Sequence, residues 1–218
     1  MDGRESDAKK VSAPYVVAVI PCKTLSDRLP FKNFQDVGGK PMMLWAVMRA
    51  MCCPDIDLVA ISTENSDEVM KRVPQLSSSI FDRVVLMDRV EARHPNDPLF
   101  AVVIDALHQL GIKGVMERDP THLVLLQPNV PTLDQGVVNR LVAAVVHDNF
   151  NVARHFDPSG AMTGGCDAYK IGALQSPIVM DSYNYAVVTN DIEVHTAEDL
   201  EIVRQVVKMR PVEGDARA

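Results

Sequence analysis

The segment from Tyr15 to Ile20 is an unbroken run of apolar, mostly β-branched side chains. A strand with one face in water alternates apolar and polar residues, so this run indicates a strand that is covered on both faces. Such strands are typical of parallel sheets that carry helices on both sides. Shorter segments of the same kind occur at Leu58–Ser62 and His122–Leu126. These buried strands limit the chain to the α/β class.

Segments with helical signals separate the strands. Pro41 suits a first helical turn, Ser66 is a candidate N-cap, and Thr196 with Asp199 resembles a capping box. The alternation predicts a mostly parallel, doubly wound sheet that binds ligands beyond the carboxyl ends of its strands. The predicted helices are Pro41–Met51, Ser66–Arg72, Pro98–Leu110, Asp134–His147 and Thr196–Lys208, and the further predicted strands are Arg83–Met87, Ala168–Ile171 and Tyr185–Thr189.

Composition sets the domain count and excludes some partners. The chain has 218 residues, 47% of them hydrophobic, which suffices for one core. We expect one domain at 14–210 between a polar, flexible leader (1–13) and a polar, flexible tail (211–218). Neither a signal-peptide pattern nor an apolar run of roughly 20 residues is present, which predicts a cytoplasmic protein without a membrane partner. The net charge of -7 argues against a nucleic-acid partner, which requires an excess of Lys and Arg.

The loop after the first strand concentrates positive charge. Between Pro21 and Asn33 it carries Lys23, Arg28 and Lys32, and cations with backbone N–H groups are what a triphosphate requires. The alternative is that these are ordinary solvated loop cations. A P-loop is rejected for the following Gly38-Gly39-Lys40, because the motif's first glycine and its Ser or Thr are absent.

Four motifs carry a resemblance to a known family. The string IPCKTLSDRLPFKNFQDVGGKPM resembles the opening signature of the CMP-sugar-acid synthetases, the acylneuraminate and KDO cytidylyltransferases. The strings ISTE, LLQPNVP and DIEVHTAEDL resemble later motifs of that family in the same order, so the likeness covers nearly the whole chain. It implies a Rossmann-like, GT-A-like nucleotidyltransferase fold of three layers with a mostly parallel sheet. It also implies transfer of CMP from CTP to an acidic acceptor, with release of pyrophosphate and a requirement for Mg²⁺.

The resemblance also implies roles for individual residues. Lys32 would stabilise the α-phosphate in the transition state, together with Arg28 and with Lys23 in place of the signature arginine. Gln127 would lie near the acceptor or the ribose. The implied nucleotide-binding set is Pro21, Cys22, Lys23, Ser26, Asn33, Arg89 and Gln127. Arg89 and Arg93 both follow the third strand, where the family carries an arginine, and either is alternatively a solvated surface charge.

Candidate acceptor residues follow the Gln127 motif. Arg154, beside His155, suits an anionic acceptor because a guanidinium pairs bidentately with a carboxylate or phosphonate; a surface role is the alternative. Asp167 falls where the family places an acceptor-contacting loop, and its alternative is a simple turn.

Asp191 and Glu193 are the candidate metal ligands. They alternate on a segment expected to be extended, so both carboxylates can face one side, and hard oxygen ligands are what Mg²⁺ prefers. The alternative is that they only precede and cap the last helix.

The departures from the family pattern bear on the acceptor. Thr24-Leu25 replaces a glycine pair, and about sixty residues separate Gln127 from Asp191, where the sialic acid synthetases carry a longer arm for dimerisation and acceptor binding. A shorter arm suggests a small acidic acceptor such as phosphonoformate, and a homodimer stays open. Two alternatives remain: the same chemistry on KDO or a sialic-type sugar, or a CTP-binding module without turnover.

Overall fold

The computed structural model describes residues 13–26, 28–92, 97–175 and 185–209. Leader residues 1–12, the tail 211–218 and Arg93 lie outside these ranges. Within them, no helix is both long enough and apolar enough to cross a bilayer.

Strands and helices alternate through most of the described chain. Four short 3₁₀ helices lie at Lys32–Phe34, Pro74–Ser77, Ser79–Phe81 and Ile171–Gln175. The main elements are β1 (Val16–Pro21), β2 (Asp36–Val37), β3 (Lys40–Pro41), α1 (Met42–Cys52), β4 (Leu58–Thr63), α2 (Ser66–Arg72), β5 (Val84–Asp88), α3 (Leu99–Ile112), β6 (His122–Leu126), α4 (Gln135–Val146), β7 (Val152–Phe156), β8 (Met162–Lys170), β9 (Tyr185–Val188) and α5 (Ala197–Met209). The predicted helices and the first four predicted strands of the sheet agree with these bounds to within two residues.

Seven strands form one sheet in the order β5-β4-β1-β6-β8-β7-β9. Strands β5, β4, β1 and β6 pair in parallel, and so do β7 and β9. Strand β8 is antiparallel to both of its neighbours, and β2 and β3 form a separate small ladder. The prediction of a mostly parallel sheet is confirmed.

The third quarter of the chain departs from the predicted elements. Strand β7 was not predicted, because Arg154 and His155 interrupt its apolar pattern although both are buried. The strand predicted at Ala168–Ile171 begins at Met162, six residues earlier, because Gly164 and Gly165 conceal its first half. In both places, polar or small residues occupy strand positions, and hydrophobic periodicity does not detect strands of that composition.

One predicted cap was wrong. The N-cap of α2 is Asn65, whose side chain accepts a hydrogen bond from the Glu68 N–H at 3.0 Å. The Ser66 hydroxyl instead donates to Asp88 at the end of β5. The predicted capping box of α5 is present, because Thr196 and Asp199 each accept a hydrogen bond from the other's backbone N–H.

Helices cover the two faces of the sheet and make three layers. One core cluster joins the sheet to α1 and α4, and it includes Ile20, Val47 and Leu141. A second lies on the opposite face under α3 and includes Val19 and Leu110. A smaller cluster joins α5 to α1 and the β2–β3 ladder. The predicted three-layer α/β architecture follows from this packing.

The direction of the chain reverses around β1. It leaves β1 for β4 and β5 on one side and then crosses to β6 on the other. The crevice beyond the carboxyl ends of β1 and β6 is the position where open α/β sheets bind ligands. The loops after β4, β5, β7 and β9 and the beginning of β8 open on the same edge.

Candidate active site

Two segments far apart in sequence meet at this edge through Lys32. Phe31 adopts a left-handed conformation (φ 52°) just before the 3₁₀ helix Lys32–Phe34. The Lys32 ammonium then donates to the Val194 carbonyl at 3.0 Å, across 162 residues of sequence. The loop after β1 and the segment before α5 therefore form opposite walls of one site.

The charge of Lys32 is partly removed from water. Burial lowers the pKa of Lys32, Glu193 opposes that shift, and Arg28 and Lys23 reinforce it. The structure thus brings the three predicted cations into one electrostatic group, with Lys23 and Arg28 exposed. A desolvated ammonium interacts more strongly with an incoming anion than one in bulk water.

The other predicted residues of this loop have mixed placements. Pro21 ends β1 and is half-buried, as is Ser26 farther along. The Cys22 side chain lies in the core against Met43, and burial raises the pKa of its thiol to about 12. Asn33 is buried and donates to the Lys23 carbonyl at 2.9 Å. Cys22 and Asn33 therefore shape the loop from beneath, and their predicted nucleotide contacts stay predictions.

Arg89 is not a solvated surface charge. It follows β5, is 3% exposed, and donates to the Ser62 hydroxyl and carbonyl at 3.2 and 3.0 Å. Burial lowers the pKa of Arg89, and Glu64 is the largest opposing influence. The surface alternative is wrong for this residue, which lies beneath the loop after β1.

The loop after β6 forms the floor between the two walls. Gln127 is half-buried and its backbone N–H donates to the Gly165 carbonyl at 3.2 Å. Gly164 has φ +66°, and a Cβ there would lie 2.7 Å from the Gln127 side-chain nitrogen. Gly164 thus permits β8 to pass close beside Gln127.

Asn129 was not among the predicted site residues, although it lies inside the LLQPNVP motif. Its side-chain amide donates to the Glu193 carboxylate at 2.8 Å, and its carbonyl accepts from the Val194 N–H at 2.8 Å. It is 5% exposed, and its Oδ1 has no hydrogen-bond partner. The sequence signal for a functional Asn129 is its position as a polar residue between two prolines, in a loop that follows a buried strand.

The two predicted metal ligands lie on an irregular segment after β9, and not on a strand. The Asp191 carboxylate accepts from the Thr189 hydroxyl and lies 3.5 Å from His155. The Glu193 carboxylate contacts Asn129 and lies 3.1 Å from the His195 imidazole. Glu193 therefore belongs to the Lys32 wall, whereas Asp191 belongs to the network around His155.

The predicted acceptor residues beyond Gln127 are buried in the sheet. Arg154 lies opposite Asp167 in the β7–β8 ladder, and Tyr169 donates to Asp167 at 3.0 Å. Burial raises the pKa of Asp167, while the Arg154 charge lowers it. The surface alternative for Arg154 and the turn alternative for Asp167 are both wrong. Their contact with an acceptor stays a prediction.

His155 lies on the other face of β7 and is fully buried. Its Nδ1 and Nε2 lie 2.6 Å from the hydroxyls of Thr163 and Thr189. Burial lowers the pKa of His155, and Asp191 opposes that shift. The network connects the start of β8 to the end of β9.

A comparison with protein families decides what kind of domain carries this site. Residues 17–128 match the family model described as "Cytidylyltransferase", which is slightly more than half of the chain. The chain belongs to this cytidylyltransferase family. The matched part runs from β1 to the loop after β6 and contains the basic loop, Arg89 and Gln127.

Curated relatives agree with this assignment. The chain is similar to 3-deoxy-manno-octulosonate cytidylyltransferases of Saccharophagus degradans (30% identity over 59% of this chain and 44% of the relative) and Rhodopseudomonas palustris (23% over 66% and 52%). A porphobilinogen deaminase of Orientia tsutsugamushi is 28% identical over 59% of this chain and 44% of its own length; the family model does not support that activity here. The chain spans about half the length of the curated relatives it matches.

Solved structures share the fold of this cytidylyltransferase-family chain. A CMP:2-keto-3-deoxy-manno-octonic acid synthetase complexed with CTP has a TM-score of 0.65 at 16% identity, covering 89% of this chain and 99% of the neighbour. A cytidylyltransferase from Leptospira borgpetersenii also has a TM-score of 0.65, at 12% identity, covering 91% and 89%. At these identities the likeness concerns the fold, and it confirms the predicted nucleotidyltransferase architecture.

Proposed function

We propose that this cytidylyltransferase-family chain transfers CMP from CTP to a small acidic acceptor, such as the phosphonate phosphonoformate, and releases pyrophosphate. An acceptor oxygen attacks the α-phosphorus, and the bond to the pyrophosphate oxygen breaks. Negative charge grows on the equatorial oxygens and on the departing pyrophosphate, so catalysis depends on positioning and electrostatic stabilisation.

The observation that carries the proposal is the position of Lys32. Its ammonium extends from the basic loop to the Val194 carbonyl on the opposite wall of the crevice beyond β1 and β6. Lys23 and Arg28 contribute to the same electrostatic group. A triphosphate between the walls meets these cations at one end. The neighbour named as complexed with CTP shares this fold.

The acceptor part of the proposal rests on Arg154. This guanidinium lies on β7 and is 6% exposed, with Asp167 opposite. A guanidinium pairs bidentately with a carboxylate or a phosphonate, which supports an acidic acceptor. The named activity of the curated relatives favours KDO as the alternative acceptor.

Magnesium is part of the proposal, and Glu193 fits it better than Asp191. The Glu193 carboxylate lies beside Lys32 and Asn129. The buried Asn129 Oδ1 has no hydrogen-bond partner and is a candidate oxygen ligand for a metal. No three His, Cys, Asp or Glu side chains in the described ranges cluster closely enough to hold a metal. Mg²⁺ commonly binds through one or two carboxylates plus substrate phosphates and water, which agrees with such a sparse set. When bound, it would neutralise charge on the leaving pyrophosphate.

The deciding experiment measures pyrophosphate release from CTP with Mg²⁺ and a panel of acceptors. Phosphonoformate and other small phosphonates are expected to support turnover. Turnover with KDO or a sialic acid alone would replace the acceptor and keep the reaction. CTP binding without turnover by any acceptor would instead identify a silent module. Calorimetry that shows no heat with any nucleoside triphosphate and a divalent ion would reject the function altogether.

A further inference from the structure

A carboxylate from a neighbouring strand holds the basic loop in place. Glu64 directly follows β4, and its Oε1 accepts from the Thr24 N–H at 2.6 Å and from the Thr24 hydroxyl at 2.7 Å. The Leu25 N–H also points to this oxygen, at 3.4 Å. One carboxylate oxygen therefore receives three donors from a segment 40 residues earlier in the chain.

This carboxylate lies in an electrostatically unfavourable position. It lies under a loop that we propose binds a triphosphate. The carboxylate and the triphosphate are both negatively charged and repel each other. Its Oε2 is buried without a hydrogen-bond partner. Burial lowers the pKa of Arg89, and the Glu64 charge is the largest influence that opposes this shift. A buried carboxylate oxygen is costly unless other contacts compensate it, so the three donors at Oε1 supply the contacts that stabilise this side chain.

The chemistry of the loop explains why an anchor is required. Thr24 and Leu25 lack the backbone freedom of glycine, so a loop that closes around phosphates there must be fixed by other contacts. Thr24 is 5% exposed, which places its N–H against Glu64 and not against solvent. The side chains on either side, Lys23 and Ser26, are exposed and half-buried. Their orientation toward a ligand depends on the backbone between them.

We infer that Glu64 is a positioning residue: its carboxylate fixes the Thr24-Leu25 backbone so that the cations of the basic loop face the triphosphate. The inference rests on the proposed function for its ligand, but the anchoring is a property of the ligand-free protein.

Two measurements on the full chain test this. Hydrogen exchange followed by NMR reports the Thr24 and Leu25 amides without any nucleotide, and calorimetry reports CTP affinity. Glu64→Ala is expected to abolish protection at both amides and to weaken CTP binding about tenfold or more, the size of effect that loss of hydrogen bonds to a charged group produces. Glu64→Gln, which keeps an acceptor oxygen, is expected to recover most of the protection and affinity. Thr24→Val, which removes only the hydroxyl donor, is expected to fall between them.

Asp88→Asn is the matched control. Asp88 ends the adjacent strand β5, and its carboxylate holds Ser66 at the start of α2, outside the basic loop. It is expected to leave CTP affinity unchanged. Unaltered exchange at Thr24 in folded Glu64→Ala, or unaltered CTP affinity in that variant, would overturn the inference. A wild-type chain that binds no CTP would reject the proposed function instead, while the exchange rates still decide the anchoring.

Discussion

The two sides of the crevice between β1 and β6 treat charge differently. On the side of β1, β4 and β5, Lys23 and Arg28 are exposed, whereas Arg89 is buried beneath them. On the side of β8, β7 and β9, Arg154 and Asp167 are buried opposite each other, and His155 lies near Asp191. The first side therefore has more of its cations at the surface, whereas the second has an oppositely charged pair within the sheet. Substitutions of the exposed cations should therefore reduce ligand binding and catalysis with little loss of stability, whereas substitutions of Arg154 or Asp167 should reduce stability as well.

The buried pair on β7 and β8 should give the largest effect. Arg154→Met removes the guanidinium opposite the buried Asp167, whose charge opposes the rise in the Asp167 pKa, and an uncompensated buried charge costs about 3 kcal/mol or more of unfolding free energy. Urea unfolding measures the loss. Arg154→Met combined with Asp167→Asn is expected to recover most of it, because no buried charge then lacks a partner. If Arg154→Met is as stable as the wild type, the proposed difference in stability between the two sides is wrong.

Lys32 is the corresponding test on the first side. Lys32→Ala is expected to reduce turnover by about 10²-fold or more, because it removes charge stabilisation in the transition state, with little change in unfolding free energy. Steady-state kinetics and urea unfolding on the same preparations separate the two quantities. Lys113→Ala, at the exposed end of α3, serves as the control for a lost lysine. Near-normal turnover in Lys32→Ala would exclude Lys32 from the mechanism.

Glu193 and Asp191 test where the second side meets the first. Glu193→Gln is expected to weaken metal binding in the presence of CTP about tenfold or more, because it removes the carboxylate beside Lys32. Asp191→Asn should change metal affinity less, because that carboxylate is engaged with Thr189 and His155. Electron paramagnetic resonance with Mn²⁺ as the probe measures both. Equal losses of metal affinity in the two variants would show that Asp191 contributes to metal binding as much as Glu193 does.

Two buried histidines, one on β6 and one on β7, should give the smallest effect. Burial lowers the pKa of both His122 on β6 and His155 on β7. A lowered folded-state pKa means that the unfolded chain binds protons first, so stability falls as pH drops below about 6.5, by at most about 1.4 kcal/mol per pH unit for each histidine. Unfolding free energies from pH 7.5 to 5 in His122→Gln and His155→Gln should show a shallower slope than wild type. If the slope of unfolding free energy against pH is unchanged in both variants, groups other than these histidines cause the loss of stability at low pH.

The sequence predicted the first side better than the second. The strands β1, β4 and β6 are mostly apolar and buried, and the basic residues between β1 and α1 are close together in the sequence. On the second side, Arg154 and Asp167 come together through cross-strand pairing, which no spacing along the chain encodes. The role of Glu64 is invisible for the same reason, because its contacts with Thr24 lie 40 residues away. Asn129 was overlooked although its motif had been recognised.

The antiparallel course of β8 has a consequence for how such a protein can diversify. Strands β7 and β8 form a hairpin whose tip, from Asp157 to Ala161, opens on the ligand edge and is closed by the Asp157 carboxylate, which accepts from the Ser159 and Ala161 N–H groups. Insertions at a hairpin tip leave the flanking ladder intact. We therefore expect a longer or exchanged tip to change the proposed acceptor, while the basic loop that we propose binds the nucleotide stays the same.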